Sequence, residues 1–397
     1  MLKVLFEKQS FEILAVCIIS GMGMIYSGNV LEKWRSSNVF NENDVLWIVI
    51  TPLLGLKGNI EMTLACRLST MVKLGDWKTP WKVGYSNLVI IQIQGLMVGL
   101  GAALFGFIIN LLLTYSDKTL LLEKFVRLVY VSLLTASISS LILGIITIFI
   151  VYHSWKLNFD PDNIATPLAA AMGDTITLFV FYSVSTYCPT ESDVNFHHYA
   201  TLSTTIFCFL PYLLTLVNWK EFPGWMPMLS SMVLSSLSGW ILKKFIFRIN
   251  YLATLQPLVN GVGGNIASIF CSALSTDCHL SERNGEVPYT NTNKNSKLFG
   301  LLIIFGIIIH FVLLLLCNFF NLISFNNILD ISFPYLCTIF IQITILLFIS
   351  KKLINILWNN KIDPDNGAIP LVTGCGDLLG TLLLALFLAL YNRKHTF

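Results

Sequence analysis

The chain has 397 residues, of which 55% are hydrophobic and only 12% are charged, and its formal net charge is +3. Soluble domains carry roughly 25% charged residues, so this composition excludes an ordinary soluble protein and predicts one embedded in a lipid bilayer. The small net charge does not favour a nucleic-acid partner, and none is expected.

Apolar runs long enough to cross a bilayer recur along the whole chain. A hydrocarbon core about 30 Å thick needs about 20 apolar residues per helical span. The first run is interrupted by Glu12 and lacks a small-residue cleavage site, so we expect a retained helix and not a cleaved signal peptide. The predicted spans lie near 11–28, 45–70, 86–114, 127–152, 161–186, 199–218, 226–247, 251–276, 298–321, 333–350 and 365–391, and we expect the polar stretch from Asp277 to Lys297 to be a loop.

The second predicted span contains PLLGLKGN, from Pro52 to Asn59, which places a proline and two glycines inside an apolar helix. Irregular backbone at membrane depth occurs where it is buried in protein or lines a cavity, so we expect a broken helix whose carbonyls and Asn59 are candidate ligands. Close helix packing through the glycines is the alternative. Glu61 is a candidate coupling-ion site, although a salt bridge with Lys57 explains it equally well.

The fifth predicted span begins with DPDN, from Asp160 to Asn163, and carries Asp174 near its middle. An aspartate before Pro161 is typical of a capped helix start. Asn163 and Asp174 are about three helical turns apart, so they share one face that would line a path to the midplane, with Asp162 beside it. Capping of the helix dipole alone explains the motif without any ion.

Both motifs recur in the second half of the chain. The segment 257–265, PLVNGVGGN, resembles 52–59, and nine of the fifteen positions of 160–174 are identical in 363–377. Order and spacing are both kept, because the offset is 206 residues for the final asparagine of the first motif and 203 for the aspartate that ends the second. We infer an internal duplication.

The duplication predicts an all-α polytopic membrane protein of about 11 transmembrane helices. Five spans per copy is an odd number, so direct fusion would invert the second copy, and the extra span restores its orientation. We expect a first five-helix repeat in 1–190, a linker transmembrane helix in 191–224 and a second five-helix repeat in 225–397. The repeats should be parallel and related by an axis along the membrane normal, so that a monomer imitates a two-fold dimer.

The repeated aspartates, Asp174 and Asp377, are the primary candidate metal site, because an ionisable residue deep in a membrane usually faces a cavity, a partner or an ion. Two carboxylates across an axis repel each other, and a dication between them removes the conflict. Oxygen ligands favour Mg²⁺ and also accept Mn²⁺ or Co²⁺. A hydrogen bond to a neighbouring helix is the structural alternative. The secondary candidate ligands are Asn59, Asn265, Asn163, Asn366, Asp162 and Asp365.

The segments PLLGLKGNIEMTLACRLST and QPLVNGVGGNIAS, each followed by DPDN…P…GD, resemble those of solute carrier family 41, the eukaryotic relatives of bacterial MgtE magnesium channels. The resemblance covers essentially the whole chain. It implies an MgtE-like pseudo-dimeric pore, a Mg²⁺ site at Asp174 and Asp377, and, in some members, exchange of Mg²⁺ for Na⁺. The sequence has no counterpart of the bacterial cytoplasmic sensor domains, so gating by such a sensor is not implied.

Two alternatives to Na⁺/Mg²⁺ exchange stay open. One is an uncoupled Mg²⁺ channel. The other is a GxGD-type intramembrane aspartyl protease, suggested by residues 374–377, although the Tyr-Asp and Pro-Ala-Leu motifs of those enzymes do not occur in the sequence. We expect a transporter with no enzymatic activity and no cofactor. It should lie in the plasma membrane with its amino terminus in the cytoplasm, where Lys and Arg are slightly more frequent.

Overall fold

The computed structural model describes residues 2–34, 46–74, 80–113, 118–186, 225–246, 248–283 and 292–395. Every regular element in these residues is an α-helix, which confirms the all-α prediction. The helices are α1 (Leu2–Trp34), α2 (Leu46–Leu74), α3 (Pro80–Leu113), α4 (Lys118–Lys156), α5 (Pro161–Thr186), α6 (Trp225–Phe245), α7 (Leu252–Arg283), α8 (Thr292–Phe319), α9 (Phe325–Asn359) and α10 (Pro364–His395).

Seven of the described helices are long and apolar enough to cross a bilayer, namely α1, α3, α4, α7, α8, α9 and α10. The chain is therefore an integral membrane protein. The linker helix predicted near 199–218 lies outside the described residues, so the complete layout of eleven spans stays a prediction.

Several helices extend beyond the apolar runs that identified them. The stretch from Asp277 to Lys297 was expected to be a loop, but α7 continues to Arg283 and α8 begins at Thr292, so this prediction is wrong at both ends. Backbone hydrogen bonds within a helix do not depend on hydropathy, so polar residues can continue a helix outside the hydrocarbon core.

The two proline-containing motifs do not break their helices. α2 runs without interruption through Pro52, and α7 runs through Pro257. The expected break is therefore wrong. Each proline lies in the second turn of its helix, where its missing N–H removes one hydrogen bond while the turns on either side persist. The glycines after Pro52 instead allow close approach between helices.

Contacts between helices repeat from one half to the other. In the first half α5 packs against α1, α2 and α4, and in the second half α10 packs against α6, α7 and α9. Between the halves, α1 contacts α7 and α2 contacts α6. The turns before α5 and α10 also match, since Asn158 and Lys361 both have a φ of 57°. This is the pattern expected of two similar units packed face to face.

The helices differ in how much of their surface meets lipid. In α7, 89% of the residues in the most apolar segment are buried inside the molecule, whereas in α8 only 39% of the corresponding segment is buried. α8 exposes Ile304, Ile308, Phe311 and Leu315, whose spacing of three and four residues places them on one face. α7 is therefore a central helix, and its polar side chains lie in the interior of the protein.

Candidate metal site

A cavity of about 60 Å³ lies between the two halves, and both predicted aspartates, Asp174 of α5 and Asp377 of α10, line it. Both residues are half-buried. The structure thus brings the two primary candidates together on one internal space. A water molecule needs about 10–15 Å³ of such volume, so the cavity has room for a small cation with a few waters.

The Asp377 carboxylate is held by neighbouring helices. Ser235 of α6 donates a hydrogen bond from its Oγ to Oδ2 of Asp377 at 2.7 Å. The backbone carbonyl of Asp377 accepts from Ser238 Oγ at 2.9 Å and from Asn260 Nδ2 at 3.2 Å. These bonds connect α10 to α6 and α7, so the position of the carboxylate depends on three helices.

One face of α2 covers both aspartates with glycines. A Cβ atom added to Gly55 would collide with Oδ2 of Asp377 and lie 3.0 Å from Ser235 Oγ. A Cβ on Gly58 would lie 3.8 Å from Oδ1 of Asp174, at ordinary contact distance. Glycine-mediated packing, the alternative explanation of this motif, therefore describes α2 better than a broken helix does.

The two halves present their aspartates differently. The first described helix of each half carries a Ser-Gly pair, at 27–28 in α1 and at 238–239 in α6. Three residues before each pair, α1 has Met24 and α6 has Ser235. Met24 also lines the cavity. A methionine thioether in the first half thus takes the sequence position of the serine that donates to Asp377.

The secondary candidates in the second half lie elsewhere. Asn265 is fully buried and donates from Nδ2 to Ser20 Oγ of α1 at 3.2 Å. Asn366 donates from Nδ2 to Asp363 Oδ2 at 2.7 Å, and Asp365 lies beside it at the start of α10. None of these three is among the described residues that line the cavity.

Among the candidates in the first half, the structure describes the side chain of Glu61 but not those of the asparagines. Glu61 is fully buried, and its Oε2 accepts a hydrogen bond from Thr147 Oγ1 of α4 at 3.2 Å, so this carboxylate faces α4. The side chains of Asn59, Lys57, Asp162 and Asn163 lie outside the described part of the structure, although their backbones belong to α2 and α5.

Polar residues that were not among the predicted ligands also line the cavity. Asn260 is the most informative, because its Oδ1 is buried and accepts no hydrogen bond within the described structure. Gln256 and Gly264 lie one turn before and after it and also line the cavity. A spacing of four residues in an apolar helix would have predicted this face, whereas the predicted ligand was Asn265, the asparagine that ends the motif.

The DPDN motifs begin helices as predicted. α5 starts at Pro161 and α10 at Pro364, directly after the two capping aspartates. Asp363 Oδ1 accepts the backbone N–H of Asp365 at 3.0 Å, which is the hydrogen bond of an N-cap. In the first half, Asp160 forms an ion pair with Lys73 of α2, with Nζ and Oδ1 2.7 Å apart.

Comparison with known families gives a match in each half. Residues 50–184 and 256–387 match the family MgtE, described as a divalent cation transporter. Mouse solute carrier family 41 member 3 is 33% identical over 406 residues, which cover 95% of this chain and 81% of the relative. Human solute carrier family 41 member 2 is 33% identical over 408 residues, which cover 95% of this chain and 69% of the relative.

Among solved structures, the chain is similar to a eukaryotic MATE transporter with a TM-score of 0.42 and 10% identity, over 98% of this chain and 97% of the other. The MATE transporter ClbM gives a TM-score of 0.38 and 11% identity over 98% and 97% of the two chains. Similarity at this level does not indicate a shared function.

Proposed function

We propose that this chain, which belongs to the MgtE family of divalent cation transporters, carries Mg²⁺ across the membrane through the central cavity, with Asp174 and Asp377 as its ion site. The observation that carries the proposal is that one carboxylate from each half lines the same internal space. Membership of the family accounts for transport of a divalent cation, and the cavity suggests where the ion is held.

The charge of the cavity suits a dication. Two ionised carboxylates that share a space of low dielectric repel each other, and an ion of charge +2 between them balances both. Mg²⁺ dehydrates reluctantly and is commonly held by one or two carboxylates while it keeps several waters. Asp174 and Asp377 supply the carboxylates, and the remaining volume of the cavity would hold the waters.

The remaining wall can receive those waters. Ser27 and Thr373 contribute hydroxyl groups to the lining of the cavity, and Asn260 contributes an amide. A hydrated ion presents only hydrogen-bond donors, so acceptors on the wall stabilise it without direct contact with the metal. This proposed mode selects ions that retain their water, as Mg²⁺ does more strongly than Ca²⁺.

The proposed pathway needs both halves of the chain. α1, α2 and α5 contribute Ser27, Gly58 and Asp174, while α7 and α10 contribute Asn260 and Asp377. A monomer in which two similar units enclose one site is the arrangement that we propose for transport, with the plasma membrane as its location and the amino terminus in the cytoplasm.

We propose Na⁺/Mg²⁺ exchange as the mode of transport, with an uncoupled channel as the alternative. The buried carboxylate of Glu61, which faces Thr147, is the candidate for the coupling ion. It lies apart from the described lining of the cavity, so Na⁺ at this position would act through movement of α2 against α4 and not by competing with Mg²⁺ for the aspartates.

The experiment is Mg²⁺ flux in proteoliposomes that contain a fluorescent Mg²⁺ indicator, with and without an opposing Na⁺ gradient. We expect Asp174→Ala and Asp377→Ala each to reduce flux at least tenfold, because one carboxylate cannot balance a dication in the cavity. Removal of the Na⁺ gradient should slow flux through an exchanger and leave a channel unaffected.

The matched control is Asp330→Ala, which removes an exposed carboxylate of α9 that is not part of the described cavity lining. It should keep the flux of the parent protein. Each variant is first checked for monodisperse elution in detergent, so that a loss of flux reports on transport. Full flux in the Asp174→Ala/Asp377→Ala double variant would refute the proposed ion site.

A further inference from the structure

A second group of metal-ligand side chains lies at the start of α10, away from the central cavity. His279 near the end of α7, Asp363 before α10 and Asp365 in its first turn each offer one ligand atom, and these atoms all lie within 4.8 Å of one another. His279 Nε2 is 3.2 Å from Asp363 Oδ1 and 4.0 Å from Asp365 Oδ2. Ligands bound to one small dication are separated by about 3.0–3.4 Å, so modest side-chain movement would bring them into its coordination shell.

A buried amide at the cluster has an acceptor with no partner. Asn366 is only 7% exposed, and its Nδ2 donates to Asp363 Oδ2, so its amide lies against the Asp363 carboxylate. The Oδ1 atom of the same amide is buried and makes no hydrogen bond within the described structure. Such an atom costs free energy, and a metal ion or a metal-bound water would satisfy it.

Hydrogen bonds orient the Asp365 carboxylate toward His279. Its Oδ1 accepts a short hydrogen bond from Ser275 Oγ of α7 and a weaker one from Cys66 Sγ of α2 at 3.4 Å. Its Oδ2 is the atom nearest to His279. A carboxylate fixed through one oxygen with the other directed at a histidine is the arrangement that outer hydrogen bonds create around metal ligands.

The histidine ring is also oriented. Trp358 of α9 packs edge-on against His279, with 5.2 Å between ring centroids. Arg67 of α2 lies within electrostatic range of both aspartates, and Glu282 lies near the histidine. With a neutral imidazole, three carboxylates therefore face one guanidinium, and the cluster keeps a negative charge that attracts a cation.

In the first half, a lysine stands at the position equivalent to His279. His279 follows Lys73 by 206 residues, the offset of the first motif, and Asp363 follows Asp160 by 203, the offset of the second. Lys73 Nζ lies 2.7 Å from Asp160 Oδ1. An ammonium group satisfies a carboxylate but cannot ligate a metal, because it has no free lone pair. Only the second half thus carries a ligand set here, among the described residues.

We propose that His279, Asp363 and Asp365 bind one divalent transition-metal ion of the Zn²⁺ or Co²⁺ type at the start of α10. An imidazole nitrogen suits these ions, whereas Mg²⁺ prefers oxygen ligands alone. The bound ion would connect α7 to α10, the helix that carries Asp377. This site is separate from the central cavity and does not depend on the proposed transport function.

The test is Co²⁺ titration of the full chain in detergent, followed by visible absorption, in an Asp174→Asn/Asp377→Asn background that disables the central site. We expect one Co²⁺ per chain. His279→Lys, which copies the first half, and Asp365→Asn should each weaken binding roughly tenfold or more. His153→Ala, which removes a half-buried histidine of α4 that lies outside the cluster, should leave binding unchanged.

Asp363→Asn is a further variant at a partly exposed position, for use where a substitution at a more buried position yields aggregated protein. Binding that stays within twofold of the parent in His279→Lys or Asp363→Asn would overturn the proposal. Mg²⁺ at a hundredfold excess should leave most of the Co²⁺ bound. Complete displacement under those conditions would contradict the assignment to transition-metal ions.

Discussion

Helix α2 packs over both aspartates of the cavity and presents a glycine to each of them. Gly55 faces Asp377, and Gly58 faces Asp174. The room above the two carboxylates is unequal, because a Cβ at Gly55 would overlap Asp377 while one at Gly58 would be in ordinary contact. An added methyl group is therefore expected to be costly at Gly55 and tolerated at Gly58.

We predict that Gly55→Ala displaces the Asp377 carboxylate, breaks its hydrogen bond to Ser235 and lowers stability by about 1–3 kcal/mol, the usual cost of overpacking. Mg²⁺ flux should fall with it. The measurements are the midpoint of thermal unfolding in detergent and flux in proteoliposomes.

Gly58→Ala is the matched control on the same helix face. Among the described residues, its added methyl meets Asp174 Oδ1 and Met62 Cε, each at 3.8 Å, so the unfolding midpoint should stay at or above that of the parent. An equal loss of stability in the two variants would show that α2 is not seated against Asp377 as described.

Helices α3 and α4 illustrate how elements are held together where no hydrophobic effect operates between helix and lipid. Gly95 and Gly99 of α3 face α4, where a Cβ on Gly99 would lie 2.9 Å from Ala136 Cβ and 2.9 Å from the Ser132 carbonyl oxygen. Small residues four apart allow such an approach, and packing contacts then stabilise the pair.

At this scale we predict that Gly99→Ala separates α3 from α4 and lowers the unfolding midpoint, because the Ser132 backbone cannot move aside as a flexible side chain can. Gly300→Ala in α8 is the control, since an added Cβ there meets no atom of the described structure within 4 Å. It should be neutral or slightly stabilising, because alanine favours a helix over glycine by about 1 kcal/mol. The opposite order of the two midpoints would contradict the packing described for α3 and α4.

The whole molecule is organised around contacts between its halves. α1 packs on α7, α2 packs on α6 and α10, and α5 packs on α7. The central cavity lies where these contacts meet, and residues of both halves line it. Neither half is therefore expected to transport ions alone.

We predict that fragments 1–190 and 191–397, expressed together, restore Mg²⁺ flux, whereas each fragment alone gives none. Deletion of 191–224 from the intact chain would fuse the two five-span repeats directly and should invert the second repeat, so we expect this variant to give no flux. Parental flux after this deletion would refute the role assigned to the linker.

The local features of the fold were predictable from the sequence for physical reasons. Asp363 before Pro364 identified the start of α10, because capping depends on neighbouring residues only. The break expected at Pro52 was wrong because a proline near a helix start removes a single hydrogen bond that its surroundings tolerate. The loop expected at 277–297 was wrong because polar composition does not by itself end a helix.

The candidate site was predictable in part. Repetition in the sequence selected Asp174 and Asp377, and the cavity contains both. Ser235 and Asn260 were missed because a serine or an asparagine in an apolar helix is significant only when its neighbours across the interface are known. His279 was missed because its segment was assigned to a loop, where the spacing of residues along a helix has no meaning.

By itself the sequence determined that this protein lies in a membrane, that its chain contains two related halves and that each half carries one deep aspartate. Composition and internal repetition are properties of the chain alone. The tertiary structure decided which side chains meet: Gly55 with Asp377, and His279 with Asp363, which are 84 residues apart in sequence. Such pairs depend on how each helix is rotated and packed against its neighbours, and that information does not reside in any one segment.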